Sequence, residues 1–307
     1  MYSLWKLRLT MAGTLALVMG ASTLFVSVLL SVMGVFSILS MVAMVALFSV
    51  GQWLVAPYMI RAMYHVKEVP YEQSPKLHAM VEEVASSARV PKPKVMYSPI
   101  AAPNAFAYGS PLGGNRVCMT QGLLDNLNDG EIKAVLGHEL GHLKHRDVQL
   151  MMFVSVIPAI FYWIGYSFFW SGMFSGGRGR NGGSTLAIGA LAMLAYFVLN
   201  LLVLGLSRQR ELYADRHGAQ VVENGAAQLS TALTKLDAYG RGKRGTPPPA
   251  KGFRSMMIVD PVPGRDARTA LAEGMSPRGL TLGERIRELF STHPHTARRI
   301  SALMYEK

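Results

Sequence analysis

The sequence predicts a mainly α-helical, polytopic membrane protein that carries a small β-sheet. Three observations predict it. Half of the 307 residues are hydrophobic and only 16% are charged, against roughly 25% charged in soluble domains. The apolar residues gather in uncharged runs with room for four bilayer crossings. The remaining segments alternate short strand patterns with amphipathic helix patterns.

The first crossings come as a pair. No Asp, Glu, Lys or Arg occurs from Leu9 to Ile60. One span needs about 20 apolar residues, so this run holds two, joined near Ser31 to Gly34. Lys6 and Arg8 precede the pair and Arg61 and Lys67 follow it, which places both ends on the cytoplasmic side. A cleaved signal peptide is the alternative for the first segment, with Gly20-Ala21-Ser22 as the small residues. The apolar run continues well past that point, which favours a span.

The second pair lies further on. Val148 to Gly177 and Asn181 to Ser207 are uncharged. They read as spans near 148–170 and 185–206, joined by a polar turn from Arg178 to Ser184. Arg178 and Arg180 would then lie outside, against the positive-inside trend. Two buried helices of a soluble core are the alternative. The division is therefore 1–62 for the first pair, 63–147 for the first polar part, 148–206 for the second hairpin and 207–307 for the second polar part. A hairpin returns the chain to the side it left, so both polar parts share one side.

The net charge of +12 suits an anionic membrane surface. No nucleic-acid-binding module is visible, so nucleic acid is not expected as a partner. The single cysteine, Cys118, excludes an intrachain disulfide. It reads as a strand residue with no base beside it, which excludes thiol chemistry.

In the polar parts, Leu77 to Ala88 has helical periodicity, with Met80, Val81, Val84 and Ala85 on one face. Pro91 and Pro93 break the chain. Val95–Tyr97, Ala105–Tyr108 and Arg116–Met119 read as short strands, with a Pro-Gly-Asn turn between the last two. Helix returns at Thr120. Asn128 with Glu131 is a capping box with Asn as its cap, opening a helix to about His145. Further helices are expected over Gln209–Val222, Ala227–Tyr239, Leu282–Ser291 and Thr296–Met304. Residues 240–283 are rich in Gly, Pro, Arg and Lys and read as a mobile loop.

Within the helix from Asp129 lies His138-Glu139-Leu140-Gly141-His142. Residues four apart share a helical face, so two imidazoles point to one place. Imidazole is a good zinc ligand, and Glu139 is near enough to serve as a general base without ligating. A catalytic zinc site needs a third protein ligand. The metzincin pattern asks for Gly at 145 and His at 148; His145 and Val148 stand there. A carboxylate from a later helix is the other solution. Glu211, in Arg210-Glu211-Leu212-Tyr213-Ala214-Asp215, is the candidate. Taken alone it reads equally as a surface ion pair with Arg208 or Arg210.

These motifs in this order, with Ser291-Thr292-His293-Pro294 near the end and Pro103-Asn104-Ala105-Phe106-Ala107 ahead of the first, resemble the HtpX family of membrane metallopeptidases. That family is related to the CAAX prenyl endopeptidases. The resemblance covers nearly the whole chain. It implies a zincin-type (gluzincin) catalytic domain with one Zn²⁺ held by His138, His142 and Glu211, and Glu139 as base. It implies that His293 stabilises the oxyanion and that Asp215 pairs with Arg299. It also implies a protease of the plasma (inner) membrane, clearing misfolded or damaged membrane proteins from the cytoplasmic side.

Asn104, Ala105, Phe106 and Ala107 read as an edge strand able to bind an extended peptide by backbone pairing. Two other functions compete. One is processing of prenylated proteins. The other is a non-catalytic zinc scaffold; a small transporter fits poorly, because the spans lack ionisable residues.

Overall fold

The computed structural model describes residues 38–110, 113–174, 182–242 and 281–305. In chain order it contains α1 (Ile38–Met63), β1 (Lys67–Glu68), α2 (Pro75–Ala88), β2 (Lys94–Ser98), β3 (Ala105–Ser110), β4 (Gly114–Thr120) and α3 (Gln121–Asn126). Then follow α4 (Asp129–Lys144), α5 (Asp147–Phe174), α6 (Gly182–Val221), α7 (Gly225–Gly242), α8 (Leu282–Leu289) and α9 (Thr296–Tyr305). It is mainly helical with one small sheet, as the sequence predicts.

The chain divides into two compact units. One is built from Trp53–Val148 and Ser207–Lys307. Its sheet has the order β1-β2-β4-β3, with β2 and β4 parallel and the other pairs antiparallel. Both faces of the sheet are covered. Val95, Ala105, Val117 and Met119 join a core with Val81, Val84, Leu136, Leu140, Leu233 and Ile300. Met96, Phe106, Tyr108 and Cys118 pack with Ile60, Tyr64 and Val66 on the other side. That is why β2, β3 and β4 lack a polar alternation. β1, only two residues long, was too short to leave a pattern.

Helix α4 starts at the predicted capping box. Glu131 N–H donates to Asn128 Oδ1 at 2.9 Å, and Asn128 N–H donates to Glu131 Oε2 at 2.8 Å. Asn128→Ala removes the side-chain acceptor. The unfolding midpoint should fall, reflecting a loss of about 1 kcal/mol.

The other unit contains residues 38–52 and Gln149–Leu206. Two helices, Asp147–Met173 and Gly183–Val221, are long and apolar enough to cross a membrane. Only 22% and 11% of their most apolar windows are buried, so neither is the core helix of a soluble protein. Leu191, Leu194 and Leu202 on α6 are exposed. The two helices approach closely through small residues, as membrane helices do. A Cβ on Gly189 would stand 2.7 Å from Phe169 N, and one on Gly165 would stand 3.0 Å from Met193 N.

Two expectations change, and two fall wholly or largely outside the described residues. The first of the four expected spans and the turn at Ser31–Gly34 lie outside the described residues, and α1 holds only the later part of that run. Gly182–Ser184, read as part of a polar turn, already form the first turn of α6. The expected boundary between the fourth span and the helix at Gln209 does not exist. One uninterrupted 40-residue helix carries both: no Gly or Pro separates Leu206 from Glu211, and Ser207, the one capping residue type there, turns its hydroxyl to Thr292 O instead. The region read as a mobile loop lies largely outside the described residues; Gly240–Gly242 end α7 and Thr281 caps α8.

Candidate active site

Three helices and one strand meet at His138. Helix α4 supplies His138, Glu139 and His142; α6 supplies Glu211 and Asp215; α9 supplies Arg299; β3 runs alongside. His293 stands in the loop before α9. His138, Glu139, His142, Glu211, Asp215, His293 and Arg299 are all buried.

The ligand atoms of His138, His142 and Glu211 lie within 4.8 Å of one another. His138 Nε2 and His142 Nε2 are 3.3 Å apart, and His142 Nε2 is 3.5 Å from Glu211 Oε1. His138 Nε2 is 3.8 Å from Glu211 Oε2. Tetrahedral ligands on bonds of about 2.0–2.1 Å stand roughly 3.3–3.4 Å from one another. The donor set therefore fits a zinc ion in type and in spacing.

Each imidazole is oriented from behind. His138 Nδ1 is 2.9 Å from Asp215 Oδ1, and His142 Nδ1 is 2.6 Å from Asp147 Oδ2. A carboxylate at Nδ1 holds the proton there and leaves the Nε2 lone pair facing the shared point. Arg299 also pairs with Asp215, through Nε and Nη2. Asp147 is paired with Arg210.

Asp147 and Arg210 escaped sequence reasoning. A signal existed: an Asp five residues past His142, and an Arg just before Glu211. The chain turns at Arg146, which takes the left-handed conformation (φ 51). That one residue brings Asp147, the first residue of α5, back to His142. Asp147→Asn should weaken zinc binding by about 10–100-fold, read by competition with a coloured chelator.

Glycines set how near α6 comes to α4. A Cβ on Gly218 would stand 2.8 Å from His138 N, and one on Gly137 would stand 3.0 Å from Gly218 Cα. A Cβ on Gly141 would meet the His217 side chain at 3.2 Å. His217 is buried in this crossing, with Nδ1 3.2 Å from Gly137 O. A side chain at Gly141 would crowd this seat.

Asn104, Ala105, Phe106 and Ala107 are buried, and β3 is an edge of the sheet. The Ala107 N–H donates to Glu139 Oε2 at 2.9 Å, so the strand edge and Glu139 are directly joined. His293 Nδ1 lies 3.2 Å from Glu211 Oε2. Burial, opposed by Glu211, holds the His293 imidazole down to about 3, so it is neutral at pH 7. A neutral imidazole has one N–H. Cys118 is buried in β4, and burial pushes its thiol up, in keeping with no role in chemistry.

Comparison with known proteins agrees with this geometry. Residues 71–307 match the sequence pattern of peptidase family M48. A protease HtpX homolog of Thermoplasma acidophilum is 39% identical over 264 residues, covering 82% of this chain and 80% of its own. A protease HtpX homolog 2 of Saccharolobus solfataricus is 40% identical over 286 residues, covering 88% and 86%. One from Saccharolobus islandicus is 39% identical over 318 residues, covering 97% and 96%. The crystal structure of S. mikatae Ste24p shares the fold, with a TM-score of 0.61 at 17% identity. That match covers 98% of this chain and 66% of the solved one.

Proposed function

Because the chain belongs to peptidase family M48, among the HtpX proteases, we propose that it is a zinc endopeptidase cleaving misfolded membrane proteins from the cytoplasmic side of the plasma membrane. That it is a metallopeptidase follows from the family. The observation that carries the zinc-dependent chemistry is the convergence of His138, His142 and Glu211 beside Glu139. Glu211 stands five residues past the apolar stretch ending at Leu206. That is about 7.5 Å along a single helix. A site held so near a span suits substrates that are themselves in the bilayer.

In this reading His138, His142 and Glu211 hold one zinc ion, oriented by Asp215 and Asp147. The ion supplies Lewis acidity and makes water a nucleophile near neutral pH. Glu139 accepts the proton of the attacking water and delivers it to the leaving amine. Its hydrogen bond from Ala107 fixes the carboxylate on the side where substrate arrives. Strand β3, through Asn104–Ala107, aligns an extended substrate by backbone pairing, which tolerates many sequences. Arg299 neutralises Asp215. His293, buried 3.2 Å from Glu211, is the donor to the developing oxyanion.

Prenyl-protein processing is the second reading, favoured by the fold shared with Ste24p. The test uses full-length protein in lipid nanodiscs, stripped of metal and then reloaded with zinc. An unfolded membrane protein should be cut only after reloading. Cleavage of a prenylated peptide with the membrane protein left intact would favour the second reading.

A further inference from the structure

Helix α8 is seated the opposite way round from a helix in a water-soluble protein. Leu282, Ile286 and Leu289 are 75%, 48% and 52% exposed, and Phe290, next after the helix, is 55% exposed. At 100° per residue these four fall in one arc of about 100°. Arg285 and Arg287 fall at its two edges. Glu284 and Glu288 lie opposite, and they are the residues of α8 that are half-buried. Glu288 takes Arg298 at 3.2 Å; Glu284 closes the capping box with Thr281. The acidic face is packed on the protein and the apolar face is turned out. Water alone would favour the reverse.

The position of α8 says what the apolar face meets. Arg208 Nη1 donates to the carbonyls of Glu288, Leu289 and Ser291 at 2.8, 3.0 and 2.6 Å. Ser207 Oγ donates to Thr292 O at 2.9 Å. Ser207 and Arg208 directly follow the apolar stretch of α6, so the end of α8 is tied to the point where the chain leaves the bilayer. We infer that α8 is an interfacial anchor, with Leu282, Ile286, Leu289 and Phe290 in the headgroup–acyl boundary and Arg285 and Arg287 against anionic lipid phosphates. Helices of this kind sink their apolar face about 5–10 Å below the surface. Arginines at the edges of the face extend to the phosphates while their stems stay with the acyl chains. Three residues after Phe290 the chain reaches His293, so the anchor also fixes the loop that touches Glu211. The inference needs the membrane spans but not the peptidase reading.

The test places single cysteines at Leu282, Ile286 and, as a span reference, Leu194, each in the full chain. Cys118 is buried and leaves the dye to the introduced site. The labelled proteins are reconstituted in phosphatidylcholine–phosphatidylglycerol vesicles carrying nitroxide lipids, either shallow or deep. Shallow nitroxides should lower the emission of Leu282→Cys and Ile286→Cys at least about two-fold, and deep ones should act more weakly. Leu194→Cys should show the opposite order. Omitting phosphatidylglycerol should weaken quenching at Ile286→Cys. Labels at 282 and 286 that lipid nitroxides do not quench, while Leu194→Cys is quenched, overturn the inference and leave the spans standing. In that case shielding from iodide means that protein covers α8, either residues 243–280 or a second copy; access to iodide means that water does. An unquenched Leu194→Cys overturns the membrane placement itself.

Discussion

Glu139→Gln is expected to lower peptidase turnover by about 10²–10⁴-fold while leaving one zinc per chain. Glu139 is buried, and its Oε2 accepts the Ala107 N–H at 2.9 Å. A glutamine side-chain oxygen can accept the same bond, so the join between α4 and β3 is kept. The amide cannot take a proton from water, so the chemical step is lost alone. The measurements are cleavage of an unfolded membrane protein and metal content of the same sample. Undiminished cleavage would refute Glu139 as the base. Loss of zinc together with activity would instead make Glu139 a structural support of the site.

Gly218→Ala is expected to damage the site from a residue that touches no substrate. The new Cβ would stand 2.8 Å from His138 N and 3.0 Å from Ala134 O. Both are backbone atoms of α4, which no side-chain rotation can move aside. Helix α6 must retreat, and Glu211, two turns earlier on the same helix, moves with it. Overpacking of this kind costs about 1–3 kcal/mol. A ligand displaced by about 1 Å costs on the order of 10²-fold in rate. Lower melting temperature, weaker zinc retention and lower kcat/KM should appear together. Gly183→Ala, on the same helix with nothing within 4 Å of the added Cβ, should leave all three unchanged. Normal zinc content and rate in Gly218→Ala would show that the crossing has slack.

The parts of the site that sequence revealed are those fixed by local geometry. His138, Glu139 and His142 depend only on helical periodicity, and Asn128 with Glu131 only on the first turn of one helix. The edge strand at Ala105–Ser110 and the helix at Pro75–Ala88 also left local patterns. The residues behind the ligands left none that could be read alone. Asp147 matters because Arg146 adopts a left-handed turn, and Arg210 matters because Asp147 is there. Gly137, Gly141 and Gly218 look like ordinary helix glycines until the second helix is in place.

The sequence by itself therefore determined the membrane character, the metal-binding helix, the cap that begins it and the set of candidate ligands. Each follows from hydropathy or from the 3.6-residue period, which act over a few turns of one chain segment. The tertiary structure decided how near α6 comes to α4. It also decided which carboxylates stand behind which imidazole, that His293 faces Glu211, and which way α8 turns its apolar face. The physical reason is that these depend on contacts between residues far apart in the chain. Closeness of approach, burial and the direction of a face are properties of packed pairs of elements, and no single segment encodes them.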